Sequence, residues 1–242
     1  MHIFYSPGEH DTFILLESSE SNHCIRVLRL RQDDEVGVIN GEGVFYKTRI
    51  VEADPVNTKL EILSSVKNFG KRNYYLHVAI APTKNTERFE WFLEKATEIG
   101  MDEITPIYCQ HSERKKLRTG RLGKVILSAV KQSQKAYLPL LNTPVKYDDF
   151  LKLNHVAEKY IAYCSDYVSD FLINIPAQMN KYLIIIGPEG DFSPSEITTA
   201  INNGFTPVSL GQSRLRTETA GVVAAQIISD RSIISETQKE CS

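Results

Sequence analysis

Along the first third of the chain, apolar positions come in short bursts that alternate with polar ones, the period of half-buried strands. The pattern predicts strands at 35–40, 44–51 and 59–66, with Asn40-Gly41 supplying the positive φ angles of a tight hairpin turn. A short helix interrupts them, capped by Ser21 or Asn22, with Ile25, Val27 and Leu28 on its apolar side. These elements predict a small β-barrel over residues 1–70, and the polar, glycine-containing run 68–73 is the expected linker.

From Tyr74 onward the rhythm becomes strand and helix in alternation. An apolar strand at 75–81 leads to a helix with Phe89, Phe92, Leu93 and Ala96 on one face and Gly100 as its C-terminal cap. Further strands are expected at 104–108, 160–163, 182–186 and 207–210, and helices near 121–136, 194–203 and 218–230. The helix entered at Pro194 has the clearest signals: Ser193 at the N-cap, Pro194 at the first position, Glu196 closing a capping box and Gly204 beyond its end. By the right-handed crossover rule, residues 71–242 then form an α/β domain with a largely parallel sheet covered on both faces.

Composition adds exclusions. With 242 residues, 42% hydrophobic and 24% charged, the chain is globular rather than fibrous or disordered. No apolar run reaches the roughly 20 residues of a membrane span, and Met1-His2-Ile3-Phe4-Tyr5 lacks a signal-peptide layout, so no membrane association and a cytoplasmic address are expected. Cys24, Cys109, Cys164 and Cys241 form no C-x-x-C pair; they read as reduced and structural, and no metal is expected. The net charge is only -2, yet Arg114, Lys115, Lys116, Arg118, Arg121, Lys124, Lys131 and Lys135 face a single nearby acid, Glu113. That imbalance suits a phosphate-facing surface; the alternative is a solvated helix face, which usually mixes both signs.

Two loops carry candidate chemistry. Gly187-Pro188-Glu189-Gly190-Asp191-Phe192 follows a buried strand, and Leu210-Gly211-Gln212-Ser213-Arg214-Leu215-Arg216 follows another and enters a helix. Ligands of open α/β sheets sit at strand carboxyl ends, so two such loops predict one pocket. The first βα turn, Ala81-Pro82-Thr83-Lys84-Asn85, holds no glycine, which excludes the usual dinucleotide fingerprint; a Walker A sequence is also absent.

These loops, with Leu215-Arg216-Thr217-Glu218-Thr219-Ala220, resemble the signature of the RsmE family of 16S rRNA (uracil-N3) methyltransferases. His23 with Val27-Leu28-Arg29, Lys95-Ala96-Thr97-Glu98-Ile99-Gly100, and Gln132-Ser133 with Pro139 extend the likeness over nearly the whole chain. The resemblance implies a small PUA-like β-barrel domain followed by a SPOUT-type knotted parallel-sheet domain. It implies S-adenosylmethionine as methyl donor, a homodimer, and 16S rRNA or the small ribosomal subunit as partner. Gly187, Pro188, Glu189, Gly190, Leu210, Gly211, Ser213, Leu215, Arg216, Thr217 and Ala220 are then the cofactor contacts. Asp191 stands where the family commonly has a further glycine, Ser213-Arg214 replaces a more usual basic-then-aliphatic pair, and Lys131 precedes Gln132 where Glu is common.

Methylating uracil N3 requires an unpaired or flipped base and loss of its proton, which leaves an anion that a guanidinium can stabilise. Arg216 is the candidate; alternatively it neutralises Glu218 or a helix end. Glu189 and Glu218 are the nearby carboxylates able to accept the proton, and each could instead favour a helix N-terminus. Arg26, Arg29 and Arg31, with Arg114, Lys115, Lys116, Arg118 and Arg121, are candidate RNA contacts, although Arg29 could pair with Asp33 or Asp34. His23, His77, His111 and Trp91 show no partner spacing and read as packing or surface residues. Two other readings share these residues: a related methyltransferase acting on tRNA or a ribose hydroxyl, and a non-catalytic RNA-binding protein of the same fold.

Overall fold

The computed structural model describes residues 1–163, 170–176 and 179–240; Cys164 and Cys241 lie outside them. The chain divides into two compact units, Met1–Lys71 with Leu127–Leu138, and Arg72–Ile126 with Pro139–Ser242.

The first unit is built on a curled mixed sheet of five strands: β1 (Ile3–Tyr5), β2 (Phe13–Leu15), β3 (Glu35–Ile39), β4 (Val44–Glu52) and β5 (Lys59–Lys67). The order is β1-β3-β4-β5-β2, with β1 parallel to β3 and the rest antiparallel. Alternation along β4 buries Val44, Tyr46 and Ile50 against Phe4, Ile14, Val36, Val38 and Leu60. Register shifts at Lys47/Thr48 and Ile50/Glu52 bend the long β4–β5 pair, as bulges do.

Two local expectations are corrected here. The helix α1 (Ser18–Asn22) begins earlier than expected, with Glu17 rather than Ser21 or Asn22 at its N-cap, and runs into a π-helical turn at His23–Val27. Ser21 is unavailable as a cap because its buried hydroxyl donates to the Leu16 carbonyl and accepts from the Thr58 amide, joining two parts of the unit. In the hairpin, positive φ falls on Gly41 (84°) and Gly43 (98°) but not on Asn40. Asn40 acts through its side chain instead: Oδ1 accepts from the amides of Glu42 and Val44 and closes a longer loop.

The second unit alternates β6 (Tyr75–Ile80), α2 (Thr86–Ile99), β7 (Glu103–Tyr108), α3 (Thr119–Gln132, which from Leu127 onward belongs to the first unit), β8 (Leu140–Leu141), β9 (Val145–Lys146), α4 (Tyr147–Leu151), β10 (Glu158–Ala162), β11 (Lys181–Ile186), α5 (Pro194–Asn202), β12 (Thr206–Val208) and α6 (Thr217–Glu240). Every strand pairing is parallel, in the order β12-β10-β11-β6-β7-β8, and β9 also pairs with β7. One face packs Ala79, Ile107, Ile161, Leu183 and Ile185 against Phe150 and Phe205. On the other face, α6 lies along β6 and β11 and packs against α2, which buries Phe89, Phe92, Leu93 and Ala96. The anticipated capping box is present: Ser193 Oγ accepts from the Glu196 amide, and the Glu196 carboxylate accepts from the Ser193 amide. Gly100 ends α2 as anticipated. Cys24 and Cys109 are buried free thiols, and burial pushes that of Cys24 up to about 11.

His77 on β6 makes one fold property pH-dependent. Its Nε2 lies 2.7 Å from Thr105 Oγ1, and its ring packs edge-on to Phe150. Burial drives its pKa down to about 4, aided by His155 and opposed by the Glu103 carboxylate 3.6 Å from Nδ1. The folded value is thus below the unfolded one, so below pH ~6.5 the unfolded chain takes up a proton that the fold refuses, and stability falls. Thermal unfolding of His77→Gln should show a shallower loss between pH ~6.5 and ~4 than the parent chain. An unchanged slope would assign that loss to other groups.

Candidate active site

Because all strands of the second unit run parallel, their carboxyl ends share one edge, and the two expected loops emerge there together. They line a cleft of about 440 Å³, within the roughly 300–1,000 Å³ usual for small-molecule sites. Gly187, Pro188, Glu189, Leu210, Gly211, Ser213, Leu215, Arg216, Thr217 and Ala220 all border it. Gly190 does not; its Cα hydrogen position faces His111, whose Cβ would be 3.1 Å from an added methyl. Arg88, Ala162, Tyr163, Ile186, Asp191, Ser209 and Arg214 complete the wall. Of these, Arg88 carried no signal in the sequence, since it lies on α2, far from both loops along the chain.

Hydrogen bonds lock the loops to each other and to the sheet. Thr217 Oγ1 donates to the Gly187 carbonyl at 3.0 Å, so the start of α6 holds the end of β11. Glu189 Oε1 accepts from the Lys84 amide at 2.9 Å, tying the first loop to the turn after β6. Gly187 is required by close packing: a Cβ there would lie 2.9 Å from the buried Phe192 ring. Asp191 has φ 62° and accepts the Phe192 amide on its own Oδ1. This left-handed backbone explains why glycine suits the position and why Asp, among the residues most tolerant of it, can replace glycine here.

The charged residues separate by environment. Glu218 is buried, its Oε1 3.7 Å from Arg88 Nε, and its Oε2 has no hydrogen-bond partner among the described residues. Arg216 is exposed, makes no ion pair among the described residues, and borders both the main cleft and a second one lined by Asn85, Glu87, Arg88, Trp91, Glu218 and Thr219. The alternative in which Arg216 neutralises Glu218 is therefore not what the structure displays; Arg88 occupies that place.

The basic segment is divided in the same way. Arg114 donates to the carbonyls of Thr83 (3.0 Å) and Lys84, bracing the turn that holds Glu189. Arg121 pairs with Glu90 and Lys131 with Glu20, each at 2.7 Å. Lys115, Lys116, Arg118 and Lys124 are exposed and make no ion pair among the described residues. In the first unit Arg26, Arg29 and Arg31 are exposed, and neither Asp33 nor Asp34 pairs with Arg29 among the described residues.

The main cleft fits S-adenosylmethionine. Pro188, Leu210, Leu215 and Ala220 offer apolar walls for a flat base, and the carboxylates of Glu189 and Asp191 suit a cationic sulfonium and amine.

Residues 71–229 match the RNA methyltransferase domain family, and residues 16–62 match the RNA methyltransferase PUA domain. The α/β unit with its two-loop cleft is thus of the RNA methyltransferase class. The ribosomal RNA small subunit methyltransferase E of Mesomycoplasma hyopneumoniae is 32% identical, over 92% of this chain and 96% of its own. A crystal structure from Porphyromonas gingivalis, described as a "probable rRNA-methyltransferase", superposes with a TM-score of 0.88 at 37% identity, covering 97% of this chain and 100% of the other. A protein from Legionella pneumophila, described as a "putative methyltransferase" and solved with bound SAM, gives 0.85 at 28% identity, covering 94% and 96%. The chain belongs to the ribosomal RNA small subunit methyltransferase E family.

Proposed function

We propose that this chain transfers a methyl group from S-adenosylmethionine to N3 of a uridine in 16S rRNA, acting in the cytoplasm as a homodimer on the rRNA or the small subunit. The observation that carries this reading is Arg216, a guanidinium without an ion pair among the described residues that borders both the main cleft and the second one. When bound in the first, S-adenosylmethionine supplies an electrophilic methyl on sulfur. The loops would hold it, and the task left to the chain's own residues is to bring N3 in line and remove its proton. Glu218 is the proposed proton acceptor, and Arg216 stabilises the charge that develops over N3 and the flanking carbonyls. The first unit, with Arg26, Arg29 and Arg31, and the exposed Lys115, Lys116 and Arg118 are proposed to hold RNA phosphates and orient the substrate.

The direct test is mass spectrometry of 16S rRNA nucleosides from a strain lacking the gene. N3-methyluridine should disappear and return with a plasmid copy. Its retention in the deletion strain would overturn the assignment.

A further inference from the structure

The second cleft is formed where the N-terminal turn of α6 meets α2, and what lines it has a specific chemistry. Trp91, the chain's only tryptophan, stands one turn after Arg88 on α2 and is 43% exposed. An indole left open to water at a cleft wall forgoes the burial that usually favours it, whereas the face of a nucleic-acid base can cover it. Opposite come Arg216, Glu218 and Thr219. Glu218 is buried with one carboxylate oxygen lacking a hydrogen-bond partner among the described residues, a cost that a polar ligand can relieve. Asn85 caps α2 through Oδ1, which accepts from Glu87, leaving its amide donors outside that bond.

We propose that this cleft is the pocket for the target base, with Trp91 as its stacking face and Arg88, Glu218 and Arg216 as the readers of its pairing edge; the proposal rests on the methyltransferase reading above. The pairing edge of uracil runs acceptor, donor, acceptor through O4, N3–H and O2. Arg88 and Arg216 both line the cleft that holds Glu218, so two guanidinium donors and one carboxylate acceptor are at hand to meet that edge as donor, acceptor, donor. Cytosine offers an amino donor and an unprotonated N3, so it would set a donor against a guanidinium and a lone pair against the carboxylate. Mismatched, desolvated polar groups of this kind produce strong discrimination. Trp91 supplies affinity for any base, and the charged trio supplies the choice of uracil.

Since Trp91 is the only tryptophan, the emission of the full-length protein excited selectively at the indole, beyond the absorption of its 11 tyrosines, reports this cleft alone. Titration with single-stranded oligouridylate should quench it to saturation, and oligocytidylate of the same length should need a much higher concentration. In methyl transfer to 16S rRNA, Trp91→Ala should lose roughly 5- to 150-fold in kcat/KM, the range of a base-aromatic stack, and Trp91→Phe should recover most of it. Calorimetric affinity for S-adenosylmethionine should be unchanged in both variants, which shows that they are folded. An absence of quenching, equal quenching by both oligonucleotides, or full activity of Trp91→Ala overturns the proposal. So does an indole already shielded from acrylamide in the RNA-free protein, which would place a second copy of the chain over it. If the parent chain forms no N3-methyluridine, the functional reading fails instead, a result that the fluorescence titration does not depend on.

Discussion

Arg216→Ala should lower kcat for methyl transfer by about 10²- to 10³-fold, the scale for removing one donor aimed at developing charge. The affinity for S-adenosylmethionine should stay within a few-fold, although Arg216 borders that cleft, because Pro188, Leu210, Leu215, Ala220 and the carboxylates of Glu189 and Asp191 remain in place. The reason for the asymmetry is timing. Uracil carries no charge in the ground state, so a guanidinium gains most from it only as N3 loses its proton. Arg216→Lys should be intermediate, since an ammonium keeps the charge and loses the planar fork of donors. Single-turnover methylation together with calorimetry measures both quantities. A variant with the parental rate would make Arg216 a structural residue.

The second large effect is expected at a residue that never touches substrate. A Cβ on Gly221 would lie 2.5 Å from Phe92 and 3.0 Å from Ile80, both fully buried and unable to move aside easily. Gly221→Ala should therefore force α6 away from α2. Overpacking costs about 1–3 kcal/mol, more than the roughly 1 kcal/mol that alanine adds in helix propensity. A net loss of up to about 2 kcal/mol lowers Tm by up to roughly 8 °C in a chain of this size. Activity should fall as well, because Thr217 and Glu218 ride on the displaced turn of α6. Differential scanning calorimetry and methyl-transfer rates test this, and an unchanged or raised Tm would show that the two helices can separate without cost.

Much of this site can be read from neighbouring residues. The two glycine-bearing loops were legible because each follows an apolar strand and precedes a helix, and the Ser193–Glu196 capping box places one of those helix starts to the residue. Asp191 was visible as a departure from the family pattern, but its positive φ explains the departure only once the backbone is known. Ser21 shows the limit of local rules: it has the right side chain for a cap, yet Thr58, distant along the chain, draws it into another hydrogen bond, whereas Asn40 takes a different role that is still local, accepting from Glu42 and Val44.

By itself, then, the sequence determined the order and type of most elements, the two loops that line the main cleft and the family. These depend on hydrophobic period, capping and glycine placement, which are written within a few adjacent residues. Only the tertiary structure decided which distant side chains meet. Lys84 holds Glu189 across 105 residues, Arg114 and Arg121 are engaged by partners within the chain, Arg121 at the surface, and residues Leu127–Leu138 join the first unit. The pairing of Arg88 and Trp91 with Arg216 and Glu218 belongs to this second group. It depends on the parallel strand order and on how closely α2 and α6 pack, and periodicity along a single segment encodes which face is buried but not which partner covers it.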